Sequence, residues 1–316
     1  MQNNIKIFAG QPSVIFAEKI CKELGVSLGK ALIGEFSDGE RRIEIQENVR
    51  NRHVFIIHNT GPGPGYVLDL ILLMDALRRS SVDKITVVIP YYGFARQERK
   101  DRPHVPISAR AIADCIESQL PTRLIFCDLH SAAIPGFFKT TSDHIYARPV
   151  FLNHIRTKFA DQLEKLVLVA PDVGAAKMTR SYAQRLQVPI AIIDKRRAEP
   201  NQMKVMNIIG DVTGRVCLLL DDLVDTAGTI TAGAEALLKV GAIEVHAMAT
   251  HGVLSGPAIE RIQKSSLISL MISDTIDLKE EAKNCNKIEI VSLETEEGEQ
   301  FKNLSGVGAI LRFRVS

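Results

Sequence analysis

Residues 216–238 read VCLLLDDLVDTAGTITAGAEALL. An apolar run at 216–220 meets the adjacent carboxylates Asp221 and Asp222, passes through Asp225-Thr226-Ala227-Gly228-Thr229 and enters a helical period. The continuous apolar run has the character of a parallel strand covered on both faces. Small residues in the turn let a phosphate approach the backbone closely. The amides of Ala227, Gly228 and Thr229 fall at the helix N-terminus, where donors lack intrahelical partners and the dipole favours an anion. The Thr226 and Thr229 hydroxyls add hydrogen bonds. If the strand continues past residue 220, Asp221 and Asp222 point to opposite faces, so only one easily faces a sugar's hydroxyls or its metal. The bland alternative is a capped helix after a core strand.

Working outward, β-branched runs alternate with helical periods: Ile5–Ala9, a helix over 13–24, a strand at 53–58, a helix over 67–79, then strands at 85–89 and 124–127 around a helix at 107–118. The first helix has Ser13 as its expected N-cap and places Phe16, Ala17, Ile20, Cys21 and Leu24 on one face, to pack against a sheet. After Tyr146-Ala147-Arg148-Pro149 a second series begins, with apolar runs at 166–170, 190–194, 216–220 and 242–250. The pattern predicts an α/β protein of two tandem domains, 1–147 and 148–316, each a mainly parallel sheet flanked by helices.

Composition agrees. A chain of 316 residues is long enough for two cores, and 46% hydrophobic with 24% charged residues is near the globular average. A formal charge of +2 and 5% aromatics exclude a strong basic field and an extended base-stacking surface, so no nucleic-acid partner is expected. No apolar stretch approaches the ~20 residues of a membrane span, so none is expected. Cys21, Cys115, Cys127, Cys217 and Cys285 stand singly, as buried hydrophobes of a reducing compartment do. Residues 1–8 enter a strand-like run without a secretory pattern, and the expected location is cytoplasmic.

Polar residues follow the carboxyl ends of successive strands: Asp128 and His130, Asp172, Lys195, and Asp221 with Asp222. That edge is where open α/β sheets bind ligands. Two polar stretches are expected loops: 92–106, with Arg96, Arg99, Lys100 and Arg102, and 195–204, opening Lys-Arg-Arg. The acidic stretch 294–300 reads as a turn before a last strand near 309–315. His53, His58, His246 and His251 show no metal spacing and read as structural. No Walker-type loop is present, which disfavours a P-loop kinase.

The 221–229 segment resembles the phosphoribosyl-pyrophosphate loop of the type I phosphoribosyltransferase fold. Further segments are FSDGE at 36–40, PYYGFARQERK at 90–100, VPISAR at 105–110, DLHS at 128–131, APDVG at 170–174 and DKRR at 194–197. Together they resemble the ribose-phosphate pyrophosphokinase family, from residue 5 to about 272. The resemblance implies transfer of the β,γ-diphosphoryl group of ATP to the anomeric hydroxyl of ribose 5-phosphate, giving 5-phosphoribosyl 1-pyrophosphate and AMP. It implies Mg²⁺ as cofactor, with His130 and Asp172 at metal-associated positions. It places ATP on Phe36, Asp38, Gly39, Glu40, Arg96 and Gln97. Lys195 and Arg197 become the catalytic-loop cations. Ribose 5-phosphate falls to Arg197, Asp221, Asp225, Thr226, Ala227, Gly228 and Thr229. A dimer-based homo-oligomer, hexameric in the family, is also implied.

Departures from the family pattern are Ala175-Ala176 after Gly174, where a second glycine is common, the loop AEPNQMK at 198–204, TGPGPG at 60–65 and the region after about 290. Two rival readings are a catalytically silent nucleotide-binding regulatory subunit and an ordinary base phosphoribosyltransferase. Retention of His130, Asp172, Lys195 and Arg197 weighs against the first, and the ATP-type motifs against the second.

Overall fold

The computed structural model describes residues 4–63, 65–195 and 206–293. Its chain divides into two compact units after Tyr146. Among the described residues, the second unit comprises Ala147–Asp274 and Leu278–Leu293, while Thr275–Asp277 belongs to the first. The expected acidic turn and last strand near 309–315 lie outside the described residues.

In the first unit, β1 (Ile5–Ala9) leads through a 3-10 turn to α1 (Val14–Leu24). A hairpin follows, formed by β2 (Ala31–Glu35) and β3 (Arg41–Ile45). Then come β4 (His53–Ile57), α2 (Gly65–Arg79), β5 (Lys84–Ile89), α3 (Ser108–Glu117), β6 (Arg123–Cys127) and β7 (Ser142–Ile145). The sheet has the order β1-β4-β5-β6-β7, with every neighbour parallel. Successive strand residues serve opposite faces. Val54, Ile56, Val87 and Phe126 pack with Leu70, Leu73 and Leu77 of α2 and with Ala113 and Ile116 of α3, whereas Phe55, Ile57, Val88 and Ile125 pack with Phe16, Ala17 and Ile20 of α1.

Ser13 departs from its expected role. It makes no side-chain cap to α1; its hydroxyl is buried and accepts the Asn59 amide at 3.0 Å. Asn59 is the hub of a buried network. Its Oδ1 accepts the Tyr91 amide at 2.7 Å, and its Nδ2 donates to the Thr275 carbonyl at 2.8 Å, tying the returning segment 275–277 into this unit. Next to it, His58 is completely buried, and its Nδ1 donates to the Asn59 carbonyl at 2.6 Å.

Burial lowers the His58 imidazole from its ordinary 6.5 to about 4. Because the folded value lies below the unfolded one, this contribution to stability is fully present above about pH 6.5 and is lost as pH falls towards 4. The loss is about 3 kcal/mol over that interval. Denaturant midpoints measured from pH 7 to 4 are expected to fall more steeply for the native chain than for His58→Gln. Equal slopes would remove His58 as the cause.

The second unit contains α4 (Arg148–Lys158), β8 (Leu166–Ala170), α5 (Ala176–Leu186), β9 (Ile190–Lys195), β10 (Met206–Ile209), β11 (Val216–Val224), α6 (Gly228–Lys239), β12 (Glu244–Gly252), α7 (Ala258–Lys264), β13 (Leu270–Ser273), α8 (Glu280–Lys283) and β14 (Ile288–Val291). Its seven strands run β10-β9-β8-β11-β12-β13-β14, parallel except for the antiparallel edge strand β10. On one face Val169, Ile193, Leu219 and Ala247 meet Ile230, Ala234 and Leu237 of α6 and Ile262 of α7. The central strand β11 runs to Val224, beyond the expected end at 220, because it stays paired with β12 as far as Gly252. No helix among the described residues is long and apolar enough to cross a membrane.

Candidate functional site

In the second unit the chemistry gathers at the carboxyl end of β11. Both Asp221 and Asp222 lie within the extended strand, and the Asp222 amide donates to Asp221 Oδ1 at 2.9 Å. Burial, followed by the charges of Asp222 and Asp172, pushes the Asp221 carboxyl up to about 8. Three carboxylates thus share one electrostatic neighbourhood, which favours a cation or donated hydroxyls.

The turn leads directly into α6. Asp225 is half-buried, and Thr226 and Thr229 are exposed. Ala227 occupies the N-cap in the left-handed region, φ 59° and ψ 3°, and is nearly fully buried. A residue with a Cβ is disfavoured there, so the surrounding structure must hold the turn. The Thr231 hydroxyl donates to the Ala227 carbonyl at 2.9 Å.

Two other strand ends carry expected site residues. After β8, Asp172 is exposed and its Oδ1 accepts the Ala175 amide at 3.1 Å, immediately before α5. Lys195 closes β9, opposite Met206. Of the expected loop 195–204, Arg197 and every other residue after Lys195 lie outside the described residues.

The first unit presents its expected nucleotide motif at a hairpin tip. Glu35 pairs with Arg41, and 36–40 form the turn: the Phe36 amide donates to the Glu40 carbonyl at 2.8 Å, and Gly39 takes φ 89°. Asp38 Oδ1 accepts the Glu40 amide at 3.0 Å. Phe36 is 50% exposed, an unusual position for a large apolar ring, and the Arg42 guanidinium carbon lies 5.6 Å from its centroid. Arg41 fixes the hairpin base: its guanidinium meets Asp69 of α2 at 2.5 and 2.7 Å and Glu35 at 2.6 Å.

Arg96 and Gln97 are exposed in the turns that follow β5. Buried Tyr92 anchors that segment by donating to the Ala109 carbonyl at 2.7 Å, while Gln97 is held by its carbonyl, which accepts the Ala109 amide at 3.2 Å, and by a hydrogen bond from the Ser108 hydroxyl. His130 is exposed after β6, next to Leu129, whose amide donates to His144 Nε2 at 3.0 Å.

His130 belongs to the first unit and Asp172 to the second. Among the described residues, no three His, Cys, Asp or Glu side chains form a ready metal cage. Sequence reasoning missed the hairpin as an element and Arg41, Asp69, Ser255 and Arg261 as its supports or those of the turn. Asp38-Gly39 beside the alternating Arg-Ile-Glu-Ile of 42–45 is a hairpin signal that was present. Ser255 and Arg261 carry no local signal, because they act through tertiary contacts.

The sequence profile described as the N-terminal domain of ribose phosphate pyrophosphokinase matches residues 5–119, and one described as a phosphoribosyl synthetase-associated domain matches 196–303. The ribose-phosphate pyrophosphokinase of Corynebacterium ammoniagenes is 46% identical over 284 residues, covering 90% of this chain and 89% of its own. That of Nitrosomonas europaea is 42% identical over 310 residues, covering 98% and 97% respectively. The crystal structure of phosphoribosylpyrophosphate synthetase from Mycobacterium smegmatis superposes with a TM-score of 0.86 at 31% identity, across 99% of this chain and 100% of that one.

Proposed function

This chain belongs to the ribose-phosphate pyrophosphokinase family, and from that premise we propose how its own residues perform the reaction. As a ribose-phosphate diphosphokinase, it transfers the β,γ-diphosphoryl group of ATP to ribose 5-phosphate. A bond forms between the anomeric oxygen and the β-phosphorus, the bond from that phosphorus to the α,β-bridging oxygen breaks, and AMP leaves. The anomeric hydroxyl loses its proton in the process. Such transfers depend on positioning and charge neutralisation more than on a covalent protein nucleophile.

The observation that carries the residue assignments is the continuous unit of β11, turn and α6. The turn Asp225 to Thr229 receives the 5-phosphate on the first amides of α6 and the exposed Thr226 and Thr229 hydroxyls, while Asp221 and Asp225 accept from the ribose hydroxyls. ATP binds at the hairpin tip: Phe36 supplies an apolar ring for the adenine face, and Asp38 and Glu40 accept hydrogen bonds from base or ribose. Arg96 and Gln97 reach the same nucleotide. Lys195 and Arg197 neutralise charge on the transferring phosphate and the departing AMP.

Mg²⁺ suits this donor set. It is a hard cation that keeps several waters and takes one or two carboxylates together with substrate phosphates, and Asp172 stands near enough to Asp221 for its charge to raise the buried Asp221 carboxyl, as such a pair of carboxylates would. Asp172 would hold it. Bound there, it would offset phosphate charge. We also place the protein in the cytoplasm as a homo-oligomer. Removing divalent metal with EDTA is expected to abolish AMP release, and added Mg²⁺ to restore it. Undiminished turnover in EDTA would remove the metal from this proposal.

A further inference from the structure

The turn between β11 and α6 is gripped from outside by a segment to which the sequence assigns no role. Beyond β12 the chain makes a tight loop in which Leu254 and Gly256 take positive φ, 47° and 54°, before α7 begins. Between them, the Ser255 amide donates to the Asp225 carbonyl at 3.0 Å, and the Ser255 hydroxyl donates to Asp225 Oδ1. One residue before, the Leu254 amide donates to the Val224 carbonyl at 3.0 Å. One turn into α7, Arg261 Nη1 donates to the Thr226 carbonyl at 3.0 Å. The same nitrogen lies 3.4 Å from where a Cβ on Gly228 would stand, so the guanidinium rests over the first residue of α6.

These contacts do two things. They fasten both residues preceding Ala227, whose left-handed backbone needs outside support. They also set a cation beside the positive pole of α6. A helix N-terminus alone disfavours a cation, so Arg261 there strengthens the pull on an anion rather than offsetting it.

We propose that Ser255 and Arg261 are positioning residues of the phosphate turn, holding Asp225 and Thr226 in the conformation that receives the sugar phosphate. The proposal rests on the assignment of ribose 5-phosphate to this turn. Neither side chain needs to touch the reacting atoms.

Ser255→Ala and Arg261→Gln in the full-length chain test it. Each is expected to raise KM for ribose 5-phosphate about tenfold while kcat and KM for ATP stay within about twofold, and Ser255→Thr, which keeps the hydroxyl, is expected to recover most of the loss. An unchanged sugar KM would overturn the proposal, as would a parallel rise in both KM values with a lowered Tm, the mark of a merely structural role. Amide hydrogen exchange separates this result from failure of the substrate assignment. If the native chain formed no sugar-dependent product, faster exchange confined to residues 226–229 in the variants would still uphold the brace. Unchanged exchange would overturn it.

Discussion

Replacing Lys195 with alanine is expected to lower kcat by roughly 100- to 1000-fold while leaving KM for ATP nearly unchanged, the range seen when one preorganised charge or donor to a transition state is removed. Lys195 is the last residue of β9, on the same carboxyl edge of the sheet as Asp172 and Asp221. A cation that contributes equally to bound ATP and to the transition state would change KM; one that meets charge developing on the transferring phosphate and departing AMP changes kcat. Steady-state kinetics with each substrate varied, supported by direct ATP binding to the variant, distinguishes the two. Wild-type turnover in Lys195→Ala would remove the residue from the mechanism. A loss confined to KM would recast it as a binding residue.

The second large effect concerns folding. Gly10→Ala is expected to destabilise the first unit by about 3 kcal/mol or more, at the upper end of overpacking effects. The Gly10 backbone is ordinary, φ −76° and ψ 157°, so the requirement for glycine is spatial. An added Cβ would stand 1.9 Å from Cδ2 and 2.2 Å from Nε2 of His58. The imidazole cannot withdraw, since it is completely buried and bonded to the Asn59 carbonyl beside the Asn59 network. The expected signature is strong non-additivity: Gly10→Ala combined with His58→Ala should cost little beyond His58→Ala alone. If Gly10→Ala unfolded at the native denaturant midpoint, the close packing of Gly10 on His58 would be wrong.

Most of the architecture was legible because parallel strands buried on both faces announce themselves as short apolar runs. The fully buried Leu166–Ala170 appears where the sequence places it, and so does the half-buried edge strand Ile5–Ala9. The pattern breaks down where chemistry interrupts it. At 220 the apolar run stops, yet β11 continues because pairing with β12 does not need apolar side chains, and that continuation places Asp221 and Asp222 within the strand. Short elements such as β7, β13 and β14, and the antiparallel edge strand β10, were too brief to show a period. Ser13 followed the local rule for a cap, but tertiary burial gave its hydroxyl to Asn59 instead.

The candidate site divides in the same way. Asp172, Asp221, Asp225 and the Thr/Gly turn were legible because strand-end acids and a small-residue helix start carry a local signature. Arg41 on Asp69, and Ser255 on Asp225, join residues 28 and 30 positions apart, and no local pattern predicts such pairs. Those tertiary contacts decide how firmly the legible motifs are held.

The most direct test of the central claim follows the phosphorus. Purified protein with ATP and Mg²⁺ is monitored by phosphorus NMR with and without ribose 5-phosphate. AMP and 5-phosphoribosyl 1-pyrophosphate are expected to appear together, in equal amounts, only when the sugar is present. AMP or ADP released at the same rate without the sugar, or no product despite measurable ATP binding, would contradict that claim.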